Sequence, residues 1–315
     1  MRTSLPEDVT AFGRSVAAKL ESLGGVRLAL AAETDPAARA AAADALSALG
    51  AWDVDPRAGQ DQLLAAAELC RITGAAVLPF PVVDQLLSVD GARLALVDPA
   101  DPRIDHGDLA GPWLAADLDA QAWTAVCGDR TASRLGPFVV PATLGATPVR
   151  LAADDVARHL VLGAWRLLGG LERALSLVTE HVRARQQFGR PLAEFQGVRF
   201  SVADAVVAVQ GLAELAKYTA WRLDTAEQAA RRADALVLRL HAGDVARVVL
   251  RTCHQLLGAV GFCDEHDVSV LDRHLQPLLR LPCAGEALVQ RLIPEVAAGH
   301  VESLFTSGGP RAAGA

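Results

Sequence analysis

The chain has 315 residues, 51% of them apolar and only 4% aromatic, which is enough for two or three packed units and favours close helix packing over an aromatic-rich sandwich. A net charge of −7 offers no electrostatic footprint for a polyphosphate backbone and argues against a nucleic-acid partner. No apolar run of about 18 residues occurs, and the start Met1-Arg2-Thr3-Ser4-Leu5-Pro6 lacks the apolar core of a signal peptide, so a cytoplasmic location is expected. Cys70, Cys127, Cys253, Cys263 and Cys283 are scattered singletons without a Cys-x-x-Cys pair, expected as small buried hydrophobes rather than as disulfides or metal ligands.

In chain order, the apolar spacing predicts helices over 9–23, 36–49 and 62–72, with Gly24-Gly25, Gly50 and Gly74 at the positions of helix stops. Residues 1–76 are therefore expected to form an amino-terminal helical domain. Pro79-Phe80-Pro81 breaks any helix, and over 77–150 the pattern changes to short apolar runs, such as 92–97 and 136–140, among Asp, Gly and Pro. That pattern predicts a reduced middle β domain, with Arg130 and Arg134 as solvated loop charges.

From Asp154 onward Val156, Leu160, Leu167, Leu171, Leu175, Val178 and Val182 recur on one helical face. Asp154 or Asp155 is the expected cap of this long helix, and Gly189 and Pro191 bound its end. Two more long helices are predicted over about 195–223 and 226–257, with shorter ones near 268–280 and 285–298, so that 151–315 reads as a carboxy-terminal bundle resembling a four-helix bundle. The fold class expected is mainly α. His254, His266 and His274 lie near Cys253 and Cys263, but their spacing fits no standard ligand set, and no metal site is expected.

Two stretches carry chemistry. The first is Arg185-Gln186-Gln187-Phe188-Gly189-Arg190-Pro191-Leu192 with Phe195-Gln196 after it, and the second, about 70 residues later, is Gln255-Leu256-Leu257-Gly258-Ala259-Val260-Gly261-Phe262. Together they resemble the carboxy-terminal helical domain of the acyl-CoA dehydrogenases, flavoproteins that desaturate acyl-CoA thioesters. In that family a flavin adenine dinucleotide (FAD) rests mostly on one protomer while a neighbour's helical domain reaches its pyrophosphate and adenosine. The resemblance assigns such contacts to Arg185, Phe188, Gln255, Gly258 and Gly261. The residue types suit those contacts, since a guanidinium is a permanently charged planar fork, an amide both donates and accepts, and glycine lets a backbone approach closely.

Beside the resemblance stand departures. Glu265 and Arg273 follow the family pattern, but His274 stands where an acid usually follows the arginine, and Ala259 replaces a glycine. At the glutamate–glycine pair that supplies the family's base, this chain has Ala284-Gly285, and alanine cannot accept a proton. The alternative base position, 26 residues before Arg185, is His159, and Glu286 lies two residues off the usual register. A lone helix histidine is more often structural than catalytic. In the middle region nothing matches the family's Thr-Glu-Pro…Gly-Ser-Asp or Trp-Ile-Thr segments; Pro112-Trp113, Trp123 and Gly145-Ala146-Thr147-Pro148 stand there instead.

A chain that keeps the neighbour-facing contacts while losing the base and shrinking the flavin cradle resembles the reduced subunit of the α2β2 acyl-CoA dehydrogenases of steroid side-chain degradation. The resemblance implies a full-length acyl-CoA dehydrogenase subunit as partner in a heterotetramer, FAD as cofactor, and an acyl-CoA substrate, by analogy a steroid-CoA. Two other readings stay open at this point: a self-sufficient homomeric dehydrogenase using His159 or Glu286, and a non-catalytic assembly subunit without flavin contact.

Overall fold

A computed structural model of the protein describes residues 4–146 and 148–301; Thr147 of the Gly145–Pro148 stretch lies outside the described residues. The amino-terminal helices are α1 (Glu7–Ser22), α2 (Val26–Ala32), α3 (Pro36–Ala48), α4 (Gln60–Ala75) and the short α5 (Val82–Leu86). Asp35 caps α3 by accepting from the Ala37 N–H at 2.9 Å, with Pro36 in the first turn where a missing N–H costs nothing. α2 and α5 are additions to the sequence expectation: with 7 and 5 residues they are too short to display a helical period.

The middle strands are β1 (Arg93–Leu96), β2 (Arg103–Asp105), β3 (Trp113–Ala116), β4 (Gln121–Cys127), β5 (Val139–Leu144) and β6 (Val149–Arg150). They form one sheet in the order β1-β3-β4-β5-β2, with β6 on the flank of β4; β1 and β3 run parallel and the other pairs antiparallel. One small core of Ala95, Val97, Ile104, Trp113 and Ala115 belongs to this sheet alone.

The bundle follows: α6 (Ala153–Ala184), a hairpin of β7 (Gln186–Gln187) and β8 (Arg190–Pro191), α7 (Gln196–Thr225), α8 (Gln228–Leu257), α9 (Asp267–Arg280) and α10 (Gly285–Ala297). The seven apolar positions that predict α6 are all buried, as the face of a helix packed on a core must be. Its predicted caps are not caps. Ala152 occupies that position without a side-chain acceptor, while Asp154 pairs with Arg231 at 2.7 Å and Asp155 with Arg57 at 3.0 Å. Gly74 does not stop α4 either, since the helix runs one residue past it. Its role is contact: a Cβ there would lie 1.8 Å from the Arg166 carbonyl oxygen, and one on Gly169 would lie 1.7 Å from that of Arg71, so α4 and α6 cross backbone to backbone at two glycines.

Of the cysteines only Cys70 and Cys253 are buried; Cys127 and Cys283 are half-buried and Cys263 is exposed. No helix among the described residues is long and apolar enough to cross a membrane.

Candidate functional site

Arg185 is the residue at which α6 gives way to extended backbone. Its N–H donates to the His181 carbonyl and its own carbonyl accepts from the Leu192 N–H, each at 2.8 Å, so the Cα is pinned from both sides. The side chain is exposed and has no partner among the described residues. Gln186 pairs with Pro191 and Gln187 with Arg190, which leaves Phe188-Gly189 as a two-residue hairpin loop with φ of +53° and +80°. That is the loop conformation that matches the strand twist, but it holds a bulky residue in the left-handed region, a local cost characteristic of functional sites. Phe188 is 92% exposed, its ring stands edge-on to Phe195 with centroids 6.2 Å apart, and Arg190 lies over Phe195 at 4.1 Å.

The second stretch ends α8. Gln255 is exposed, Gly258 takes φ +60° with open space around it, and residues 258–262 form a tight turn. Gly261 differs from the expected open glycine: it is buried, and a Cβ on it would meet Leu257 at 2.9 Å. Its smallness closes the turn onto its own helix. Both stretches share one end of the bundle, because α7 returns between α6 and α8, packing on both, so that α6 and α8 run the same way and end together. Burial, with His181, Arg27 and His254 adding to it, depresses the pKa of His266 at the head of α9.

His159 lies elsewhere, in the wall of a cavity of about 70 Å³ between α5, β2, α6 and α8. Its Nε2 donates to Asp84 Oδ1 at 2.8 Å, an orienting carboxylate of the kind that accompanies histidine bases. Asp105, Arg166 and Arg239 share the cavity. Burial raises the Asp105 carboxyl to about 7 and lowers Arg239 to about 10. Arg166 and Arg239 are held by the carbonyls of Leu78 (2.9 Å) and Leu281 (3.2 Å). The space falls short of the roughly 300–1,000 Å³ of small-molecule sites. Sequence reasoning missed Asp84, Asp105, Arg166 and Arg239, and no local signal could have found Asp84, whose histidine partner is 75 residues away. Ala284 and Gly285 line a different, outer groove of about 450 Å³ with Arg247, Arg251 and Arg280, and Glu286 is exposed in the first turn of α10. The structure therefore brings Arg185 and Gln255 to one end and places His159 and Ala284 in the linings of different cavities.

A third cluster surrounds Phe138. Arg39 lies over the ring at 4.4 Å, His106 stacks on it at 4.8 Å, and His274 meets its edge at 5.4 Å. His274, the departure from the family's acid, is satisfied by Glu33 at 2.9 Å, which also receives Arg273 at 2.8 Å. Arg130 is not a free loop charge: it donates to the Glu33 carbonyl at 2.9 Å and its guanidinium sits 5.4 Å above Phe138. Arg134 is exposed, as expected of a loop charge. Arg39 donates to His106 Nδ1 at 3.1 Å, and since arginine has nothing to accept with, that nitrogen carries a lone pair and the ring is neutral.

Burial first, then Arg39, holds His106 well below its ordinary pKa, and burial outweighs Glu33 in lowering His274. Groups with depressed folded pKa values support the fold above about 6.5, and that support is lost as the pH falls through their folded values. Between about pH 7.5 and about pH 5.5 this loss is opposed by Asp105 and His254, whose raised pKa values favour the fold as the pH falls, so the test is a difference: the change in urea midpoint over that window should be less unfavourable in His106→Gln, whose amide oxygen still accepts from Arg39, than in wild type. An identical change in the variant would remove His106 from the account.

Of the other histidines, His254 bonds to Gly261 and Asp272, and His266 Nδ1 accepts from the Val268 N–H, capping α9.

Residues 155–281 match the family model described as acyl-CoA dehydrogenase, C-terminal domain. A curated relative, acyl-CoA dehydrogenase FadE27 of Mycobacterium tuberculosis, is 33% identical over 107 residues, which make up 32% of this chain and 29% of that protein. By sequence the chain thus spans under a third of this relative. Two solved structures share the fold at 18% identity, each covering 94% of this chain and 99% of its own: a Tcur3481-Tcur3483 steroid ACAD variant, with a TM-score of 0.76, and the ChsE4-ChsE5 complex of Mycobacterium tuberculosis, with a TM-score of 0.74.

Proposed function

We propose, for a chain whose residues 155–281 match the family model described as acyl-CoA dehydrogenase, C-terminal domain, a subunit of an FAD-dependent acyl-CoA dehydrogenase that completes a partner's flavin site and lacks a catalytic base of its own. The observation that carries this reading is the exposed Arg185 side chain, without a partner among the described residues and three residues before the exposed Phe188, at the same end of the bundle as Gln255 and the open Gly258. An exposed guanidinium at a helix end, with its Cα pinned by two backbone hydrogen bonds, is suited to a phosphate. The flavin supplies hydride acceptance when bound. Arg185 would hold its pyrophosphate, Gln255 would bond to ribose or phosphate oxygens, Phe188 would cover the adenosine end, and Gly261 would keep the turn closed beneath Gly258.

Three further features support a partner. The interior cavity of about 70 Å³ is too small for a flavin ring beside a thioester. Ala284 stands at the base position. Phe200 and Val207, seven residues apart on α7, are 59% and 67% exposed, an apolar face of the kind subunits cover. The partner would be a full-length acyl-CoA dehydrogenase in a heterotetramer, and the likeness to a steroid ACAD makes a steroid-CoA thioester the proposed substrate. A second reading, a self-sufficient enzyme with His159 as base, is favoured by the 2.8 Å Asp84–His159 pair.

Co-expression with the partner separates the two. The complex should be yellow, and His159→Ala or Glu286→Gln should leave its turnover within a few-fold of wild type. Changing the partner's carboxylate should cost roughly 10²–10⁴-fold, the usual contribution of a general base. A hundredfold loss in either variant of this chain, with flavin content and assembly intact, would make that residue the base.

A further inference from the structure

His254 lies in the last turn of α8, directly before Gln255. Its Nδ1 is 2.7 Å from the Gly261 carbonyl oxygen and its Nε2 is 3.1 Å from Asp272 Oδ2 on α9. A carbonyl oxygen only accepts hydrogen bonds, and so does an ionised carboxylate, so both ring nitrogens must donate. The ring is then an imidazolium. His106 makes the opposite case, since an arginine donor at its Nδ1 requires the neutral form.

We infer that His254 is a positioning residue: as an imidazolium it ties Gly261 to Asp272 and so fixes the 258–262 turn, which carries Gly258 and closes the end of α8 where Gln255 is set toward the flavin. The turn has few other ties. Ser269 donates to the same Gly261 oxygen at 2.8 Å, the Cys263 N–H bonds to the Val260 carbonyl, and the Phe262 ring lies 5.9 Å from the imidazole while remaining 78% exposed. Asp272 also accepts from Gln276 at 2.7 Å, but His254 is the only cation paired with it among the described residues. The other charged or titratable groups facing His254 are Arg247 and Arg251 on α8, Arg280 on α9 and His266 before α9. These are cationic or neutral, so Asp272 is the group that favours the charged ring. The hydrogen bond that His254 donates to Asp272, with the one it donates to the Gly261 carbonyl behind it, raises the His254 pKa against partial burial.

A raised folded pKa sets the sign. The charge-dependent order is complete below the ordinary histidine value of about 6.5 and is lost as the pH rises through the elevated one. On deprotonation one nitrogen presents a lone pair to an acceptor, and one of the two ties is broken.

The functional half of this inference rests on the proposed flavin contact, and two measurements keep the halves apart. Amide hydrogen exchange of segment 256–266, read in the full complex and corrected for intrinsic rates, should slow below the transition and quicken above it. Asp272→Asn should move that transition to lower pH, and His254→Ala should leave the segment fast and pH-flat. In parallel, flavin release should rise with pH across the same window in wild type, and in His254→Ala it should be about tenfold faster at pH 6.5 and insensitive to pH. Exchange that ignores pH in wild type, or a transition unmoved in Asp272→Asn, overturns the charged ring. Exchange as expected, with flavin release unchanged in both His254→Ala and Arg185→Ala, keeps the charged ring and overturns the flavin contact.

Discussion

Arg185→Ala is expected to strip flavin from the complex while leaving this chain folded. The side chain touches no partner among the described residues, so its removal takes nothing from the protomer's own stability. At the interface it would leave anionic phosphate oxygens without their cation, a cost of about 2–5 kcal/mol, or about 30-fold to several-thousand-fold in affinity. The check is flavin absorbance per complex after dilution without added cofactor, alongside a thermal melt of the chain. Arg185→Lys should fall between the two, because a point charge replaces a planar fork. Equal flavin occupancy in wild type and Arg185→Ala would refute the assignment.

Gly169→Ala should be severely destabilising, although the residue lies in the middle of a helix, where alanine ordinarily gains about 1 kcal/mol over glycine. The added methyl would fall 1.7 Å from the Arg71 carbonyl oxygen, and Gly74→Ala would fall 1.8 Å from that of Arg166. A flexible side chain could move aside, but a helix backbone cannot without sliding α4 off α6 and breaking the Arg71–Glu172 ion pair of 2.6 Å that spans the same crossing. The cost should exceed the roughly 1–3 kcal/mol of ordinary overpacking. Gly211→Ala, on α7 with open space around it, is the control and should raise the urea midpoint. If Gly169→Ala also raised it, the backbone contact would be wrong.

The two variants differ in how far each could be anticipated. The hairpin residues and the long helices are written in local pattern: a single apolar face from Val156 to Val182, glycine and proline after it, and a second period from Val198 to Ala220. Such signals arise from neighbours along the chain, which is why α6, α7 and α8 could be outlined from the sequence, and why the residue types of Arg185 and Gln255 stand out without their surroundings. Pairing across the fold leaves no such trace. Asp154 and Asp155 have the composition of caps, yet their partners Arg231 and Arg57 lie 77 and 98 residues away. Gly74 looks like a helix stop but exists for a contact with Arg166, and His159 meets Asp84 only because α5 folds against α6. The helical class, the long elements and the residue types offered to a phosphate are all legible along the chain. Which of those residues share an end, how small a cavity His159 faces, and that His106 is neutral while His254 is charged are settled by packing, because a titratable ring takes its state from the partners that the fold puts beside it.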